Sequence, residues 1–438
     1  MRRAAFGLLA LFPAVFAACT TVPARDHSPA VEVRLPGGAL WSAIVPPNWN
    51  GTLLLHSRGY AGQAGSPDPA PAPYRDRLLA EGYALAASNY GSGGWALAEA
   101  VPAQEQTVAA FARRYGKPRR VLGYGFSMGG LVTTALAERA NPAIDGGVSL
   151  CSSMGGTLAM MNMGLDGAFV FRTLVAPDAG IALVGIADDR ANAGKAATAA
   201  QSALATPAGR ARIALAAVLA GIPAWRPPGG MGDADEQKVE ALARALPAGV
   251  FLPRAEQEQR AGGIYSWNTG VDYAALLDRS GQEPLIRRLY AKAGLDFAAD
   301  LALLAHAPRI SAQPGAVAYM AANYSPTGRP TVPLLAVQAL NDPITSPSLQ
   351  EGYAAAASPR MVQSLYLPLV GHCNFTPEQI VEAIHRLELR LERNVWPPPA
   401  PMHADERPSP LLRPCFRKAG MAASGTQSQM TDTCSLLP

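Results

Sequence analysis

The chain has 438 residues, with 37 Lys and Arg against 33 Asp and Glu, a near-neutral balance that argues against a nucleic-acid partner. At 49% hydrophobic and 16% charged residues with 42 Gly, the composition is that of a globular protein of one large or two ordinary domains, and it excludes collagen, coiled-coil and low-complexity chains. Beyond the N-terminus no uncharged apolar run reaches the roughly 18 residues of a membrane-spanning helix.

In chain order, Arg2 and Arg3 precede an uncharged stretch from Ala4 to Ala18, which has the charged start and short apolar core of an export signal. Residues 1–18 are therefore expected to be removed. The segment ends Val15-Phe16-Ala17-Ala18-Cys19, which resembles the bacterial lipobox and implies lipidation of Cys19. The expected location is the periplasm or cell envelope, as a lipoprotein, with plain secretion as the alternative, and membrane contact would run only through a lipid on Cys19. Cleavage leaves 35 − 33 = +2, so no basic patch is indicated. Four cysteines then remain, Cys151, Cys373, Cys415 and Cys434, an even number in a compartment where disulfides persist. Three pairings are open, as are free thiols. A Cys415–Cys434 bridge would tie down a tail with few other anchors.

A polar linker (19–30) leads to strands expected at Val31 to Leu35, Ala39 to Val45 and Thr52 to His56, separated by turn sequences. A helix around Arg75 to Glu81, a strand Tyr83 to Ser88, a helix Pro102 to Tyr115, a strand Arg119 to Gly123, a helix Met128 to Arg139 and a strand Gly146 to Cys151 follow. This alternation predicts a mostly parallel sheet with helices on both faces. The pattern then breaks into Ala-rich helical sequence interrupted by clusters such as Pro227-Pro228-Gly229-Gly230. Strands resume at Val332 to Leu340 and Ser364 to Leu369, before a helix from Pro377 to Arg393. The expected organisation is an α/β core (31–154 and 331–396) split by a large helical insertion (155–330), with a tail (397–438).

Gly125-Phe126-Ser127-Met128-Gly129 lies between a predicted strand and a predicted helix, the context of a nucleophile elbow. A serine hydroxyl is a weak nucleophile at neutral pH and needs a base and an orienting carboxylate. Asp342, in Asn341-Asp342-Pro343, and His372, in Gly371-His372-Cys373, each follow a predicted strand, so both belong at the sheet edge of Ser127. Among rivals, His306 and His385 fall within helical sequence, and Asp296 and Asp300 follow no convincing strand. An oxyanion requires two fixed N–H donors. Met128, directly after the nucleophile, is the first candidate, and Arg58, in His56-Ser57-Arg58-Gly59-Tyr60 after the third strand, is the second. No His-x-His, His-Glu-x-x-His or clustered Cys spacing points to a metal, and the expected chemistry needs no cofactor.

Together these motifs resemble the α/β-hydrolase superfamily, which includes esterases, lipases and serine peptidases. The resemblance implies an α/β-hydrolase sheet with the insertion as a helical cap over the active site. Tyr60, Tyr90, Met160, Met161 and Phe169 are the candidate substrate contacts, although Met160, Met161 and Phe169 serve equally well as the cap's own core. Asn89-Tyr90-Gly91-Ser92-Gly93-Gly94-Trp95 looks like a loop of prolyl-oligopeptidase-type peptidases. Gly371-His372-Cys373 is similar to half of the tannase and feruloyl-esterase signature, in which a Cys beside the Ser bridges to a Cys beside the His. Phe126 stands in the first Cys position, so that bridge is expected to be absent. The leading reading is an exported serine hydrolase of small-molecule or polymeric esters. A peptidase or amidase with the same triad is second, and a non-catalytic binding protein of the same fold is third.

Overall fold

The computed structural model describes residues 30–224, 234–399, 403–404 and 406–417. The expected export signal, Cys19, the Pro227-Pro228-Gly229-Gly230 cluster and Cys434 lie outside these residues. Among the described residues no helix is long and apolar enough to cross a membrane.

Eight strands form one sheet: β1 (Ala30–Arg34), β2 (Leu40–Ile44), β3 (Thr52–Ser57), β4 (Ala84–Ser88), β5 (Arg120–Phe126), β6 (Gly146–Leu150), β7 (Leu334–Asn341) and β8 (Val362–Val370). Their spatial order is β1-β2-β4-β3-β5-β6-β7-β8. The pairs β1–β2 and β2–β4 are antiparallel, and every pair from β4 to β8 is parallel. Parallel strands covered on both faces read as continuous apolar runs, and Leu53, Leu54 and Leu55 of β3 are all fully buried. Leu53 and Leu55 face α2 (Leu97–Tyr115) and α3 (Met128–Ala137), whereas Leu54 faces α1 (Ala72–Ala80) and α14 (Pro377–Arg393). The two-residue period of a strand divides the core into these two layers.

Most elements fall where periodicity places them, and α14 has its expected bounds. A capping box between Thr376 and Gln379 starts that helix, and Asn394 at φ 54° ends it. Two differences have physical causes. Helix α2 begins at Leu97 rather than at Pro102: one hydrogen bond lost near a helix start is offset by burying Leu97, Ala100 and Ala103. Helix α13 (Pro347–Ala356) has no periodic signature in the sequence, because its apolar anchoring rests chiefly on Leu349 and Tyr353.

Between β6 and β7 the described chain is helical: α4 (Thr157–Leu174), α5 (Asp189–Ala203), α6 (Pro207–Leu219), α7 (Ala234–Val250), α8 (Ala255–Ala261), α9 (Tyr273–Arg279), α10 (Glu283–Ala293), α11 (Phe297–His306) and α12 (Pro314–Ala322). Helix α4 is buried almost throughout and forms the centre of this layer. It carries Asp166, whose carboxylate accepts hydrogen bonds from Arg413 (2.6 Å) and the Tyr273 hydroxyl (3.1 Å). Burial pushes the Asp166 carboxyl up, and the adjacent Arg413 guanidinium opposes this. Arg413 also donates to the Trp267 carbonyl at 3.1 Å, and Leu411 and Leu412 are buried beside it. The tail is therefore well anchored at Leu411 to Arg413, contrary to expectation, by a buried ion pair and apolar burial that a low-periodicity sequence does not advertise.

Candidate active site

Ser127 joins β5 to α3 with φ 54° and ψ −123°, a conformation that costs a non-glycine residue about 1–3 kcal/mol. Close backbone packing holds it there. A Cβ at Gly125 would lie 2.3 Å from the Gly129 carbonyl oxygen, and one at Gly129 would lie 2.0 Å from that of Ser57. Only hydrogen at these positions lets the turn close against the end of β3. The Ser127 N–H donates to the Leu150 carbonyl at 2.9 Å, fastening the elbow to β6.

Asp342 is fully buried directly after β7. Its Oδ1 accepts from the backbone N–H groups of Ile344 (2.9 Å) and Thr345 (3.1 Å). Its Oδ2 lies 2.8 Å from His372 Nδ1 and 2.9 Å from the Thr345 hydroxyl. A carboxylate there accepts an Nδ1–H, which leaves Nε2 as the basic nitrogen. His372 follows β8 across a turn made by Gly371 at φ 98°. Its side chain is 21% exposed, against 0% for Asp342, so the imidazole meets the cavity while the carboxylate stays behind it.

Ser127 and His372 line one cavity of about 440 Å³. Tyr60, Trp95 and Phe126 from the core, and Met160, Leu252, Pro253 and Gln257 from the helical segment, supply much of the remaining lining. Residues more than a hundred positions from Ser127 thus share its cavity. Of the candidate substrate contacts, Tyr60 and Met160 line it. Tyr90, Met161 and Phe169 do not, contrary to expectation. Tyr90 is buried, its hydroxyl donating to the Arg58 carbonyl at 3.1 Å. Met161 is buried with its carbonyl accepting from Arg254. Phe169 is fully buried and stacks on Tyr273 at 5.5 Å. Aromatics and thioethers serve core and pocket alike, so composition does not separate the two.

The loop after β3 abuts the elbow, and Gly59, one residue beyond Arg58, lines the cavity. The Arg58 guanidinium donates to the carbonyls of Ser92 (2.6 Å) and Asn89 (3.2 Å) and lies 4.5 Å from the centre of the Tyr90 ring. Its side chain is thereby committed to shaping the loop, and only its backbone N–H remains for an oxyanion. Among the described residues, the N–H groups of Arg58, Gly59 and Met128 meet no protein acceptor. His56 is buried with Nδ1 2.8 Å from the Asp68 carbonyl, and burial pushes its imidazole pKa down.

The rivals lie elsewhere. Asp300 pairs with Arg212 at 2.7 Å, Asp296 caps α11, His385 pairs with Glu81 at 2.7 Å, and His306 ends α11. The bridge from beside the serine is absent, as Phe126 implies, and of the pairings left open Cys373 takes the one to Cys151 at the end of β6. Phe126 removes one partner, but the neighbouring strand end supplies another within reach, a proximity that only the folded sheet creates. Cys415 is disulfide-bonded as well, and Cys434, one of the partners the sequence leaves open to it, lies outside the described residues. Cys151, His372 and Cys373 bring possible ligand atoms within 4.8 Å of one another, yet both sulfurs are committed to the disulfide and cannot act as thiolates.

Sequence reasoning missed Thr345, Trp95, Leu252, Pro253 and Gln257. Thr345 had a local signal, since Asp-Pro-Ile-Thr is turn chemistry in which the Asp side chain takes the N–H groups that follow. The others have none, because their approach to Ser127 is purely tertiary.

A mostly parallel sheet in this order, with a strained serine between β5 and α3 and an acid and a histidine after β7 and β8, has the arrangement of the α/β-hydrolase fold. No family model matches the chain. It is 29% identical over 407 residues to an o-phthalyl amidase of Xanthobacter agilis, an alignment covering 84% of this chain and 88% of that one. Solved structures with similarity include a Pyrococcus furiosus esterase (13% identity, 84% and 90% coverage, TM-score 0.37) and a Mycobacterium smegmatis proline iminopeptidase (14% identity, 83% and 99% coverage, TM-score 0.37).

Proposed function

We propose that this protein is a serine hydrolase that cleaves carboxylic esters of apolar acids through an acyl-enzyme. Ser127 attacks the carbonyl, His372 takes its proton through Nε2 and later delivers it to the leaving group, and Asp342 holds the imidazole and stabilises its charged form. The N–H of Met128 and that of Arg58 or its neighbour Gly59 receive the oxyanion. The observation that carries this reading is the 2.8 Å contact of His372 Nδ1 with Asp342 Oδ2 behind a cavity that Ser127 also lines. Among the described residues no Lys, Arg, Asp or Glu lines that cavity, which favours a neutral acyl group. The amidase relative favours a second reading, hydrolysis of amides of aromatic acids, by the same steps with a poorer leaving group. The experiment is a panel of p-nitrophenyl esters of graded chain length beside benzoyl and o-carboxybenzoyl p-nitroanilides. Turnover of esters alone supports the first reading, anilide turnover at comparable kcat/KM supports the second, and no turnover of either rejects both.

We infer also that the protein is exported, with Cys19 lipidated. A disulfide between Cys151 and Cys373, and a second at Cys415, support an oxidising compartment. Mass spectrometry of the mature N-terminus tests this, and an unmodified chain retaining residues 1–18 would reject it.

A further inference from the structure

Cys151 occupies an unusual junction. It is fully buried at φ 43° at the end of β6. Its N–H donates to the Val337 carbonyl of β7 at 2.9 Å, and its carbonyl accepts the Thr345 hydroxyl at 2.8 Å. Its sulfur is bonded to that of Cys373, the residue after His372, across a sequence separation of 222. The residue before it, Leu150, holds the Ser127 N–H. One position therefore contacts the strand and loop that carry Asp342 and the loop that carries His372, while its neighbour contacts the elbow.

The two loops need such a tie. His372 lies between Gly371 at φ 98° and Cys373 at φ 57°, a sharply bent, partly exposed stretch. Besides the imidazole itself, its ties include the Gly371 N–H to the Asn341 carbonyl (2.7 Å) and the disulfide. Thr345 completes the junction. Its hydroxyl lies 2.8 Å from the Cys151 carbonyl, 2.9 Å from Asp342 Oδ2 and 3.3 Å from His372 Nδ1. A hydroxyl has a single proton, which Thr345 shares between two acceptors, the Cys151 carbonyl and Asp342 Oδ2, so Thr345 couples the acid's orientation to the strand end that also holds the base loop.

Building on the triad proposed above, we propose that Cys151 and Thr345 are positioning residues: through the disulfide to Cys373 and the hydroxyl to Asp342, they hold the base and the acid in register with the Ser127 elbow. Neither touches the reacting atoms. Their effect is on geometry, to which acyl transfer is steeply sensitive, a displacement of about 1 Å costing up to about 10²-fold in rate.

The test compares wild type with the Cys151→Ala, Cys373→Ala double variant, which leaves no unpaired thiol, and with Thr345→Val and Thr345→Ser. Three readouts are taken: kcat and KM on the best substrate of the panel, the rate constant for fluorophosphonate labelling of Ser127, and the melting temperature. The expected result is a fall in kcat of about 10- to 100-fold in the double variant and in Thr345→Val, with KM within about twofold. Labelling slows in parallel, because it uses the same base but not the substrate pocket. Thr345→Ser restores most of the rate. A lowered melting temperature with kcat and labelling rate intact would reduce the bridge to a stabilising cross-link and overturn the proposal, as would a change confined to KM. If the double variant does not fold, Thr345→Val against Thr345→Ser decides, since both retain the disulfide: equal rates in the two overturn it. Failure of the triad itself is distinguishable, because Ser127→Ala would then still be labelled.

Discussion

The two sides of the cavity are built by different means. On the core side, Gly59, Ser127 and His372 are placed by main chain: strand ends, glycine contacts too close for a Cβ, and the Ser127 N–H on the Leu150 carbonyl at 2.9 Å. On the helical side, Met160, Leu252 and Gln257 are placed by side-chain packing and polar ties. The Trp95 indole N–H donates to the Thr157 hydroxyl at 2.8 Å, Glu256 accepts the Trp95 backbone N–H at 3.0 Å, and Arg260 pairs with Glu99 at 2.6 Å. Backbone placement tolerates little displacement, as the bond-making of the proposed reaction would require, whereas side-chain placement can be altered one contact at a time, as the proposed selection of the acyl group would require.

That contrast is broken most sharply at Ser127. Ser127→Ala is expected to lower kcat by about 10⁶-fold and to abolish fluorophosphonate labelling, and labelling that persists would remove Ser127 from its role. His372→Ala should match it, with Asp342→Asn costing about 10⁴-fold because the imidazole loses its orienting acceptor. Steady-state kinetics in which KM rises while kcat holds would contradict both assignments. On the helical side, Asp166→Ala strands the buried Arg413 and should destabilise the protein by about 3–5 kcal/mol, read from denaturant unfolding, while Asp342→Asn should leave stability far less changed. Enlarging the pocket by Met160→Ala should shift the preferred acyl chain towards longer groups by roughly fourfold in kcat/KM per added CH₂, about 0.8 kcal/mol each. No shift, with labelling of Ser127 unchanged, would remove Met160 from selection. The smallest effect concerns pH. His56 has its pKa lowered in the fold by burial, so the unfolded chain binds a proton more readily, and its contribution to stability is present above the ordinary imidazole pKa near 6.5 and lost as pH falls below it. Unfolding curves of wild type and His56→Asn across that range should converge at low pH.

Much of this arrangement is legible in residue order. Alternating apolar runs and helical periods specify the sheet and its flanking helices, since burial on both faces of a parallel strand requires uninterrupted apolar residues such as Leu53 to Leu55. Gly125-Phe126-Ser127-Met128-Gly129, Asp342 and His372 are legible too, because local turn chemistry puts each directly after a strand. What tertiary structure alone decided is everything that depends on which distant segments meet. The pairing of Cys151 with Cys373, the clamping of the tail by Arg413 on Asp166 and the choice of Met160 over Met161 and Phe169 as cavity lining follow from packing directions across the interface of sheet and helices. Neighbouring residues on one helix have the same chemistry and point to different surroundings, so only the assembled packing tells them apart.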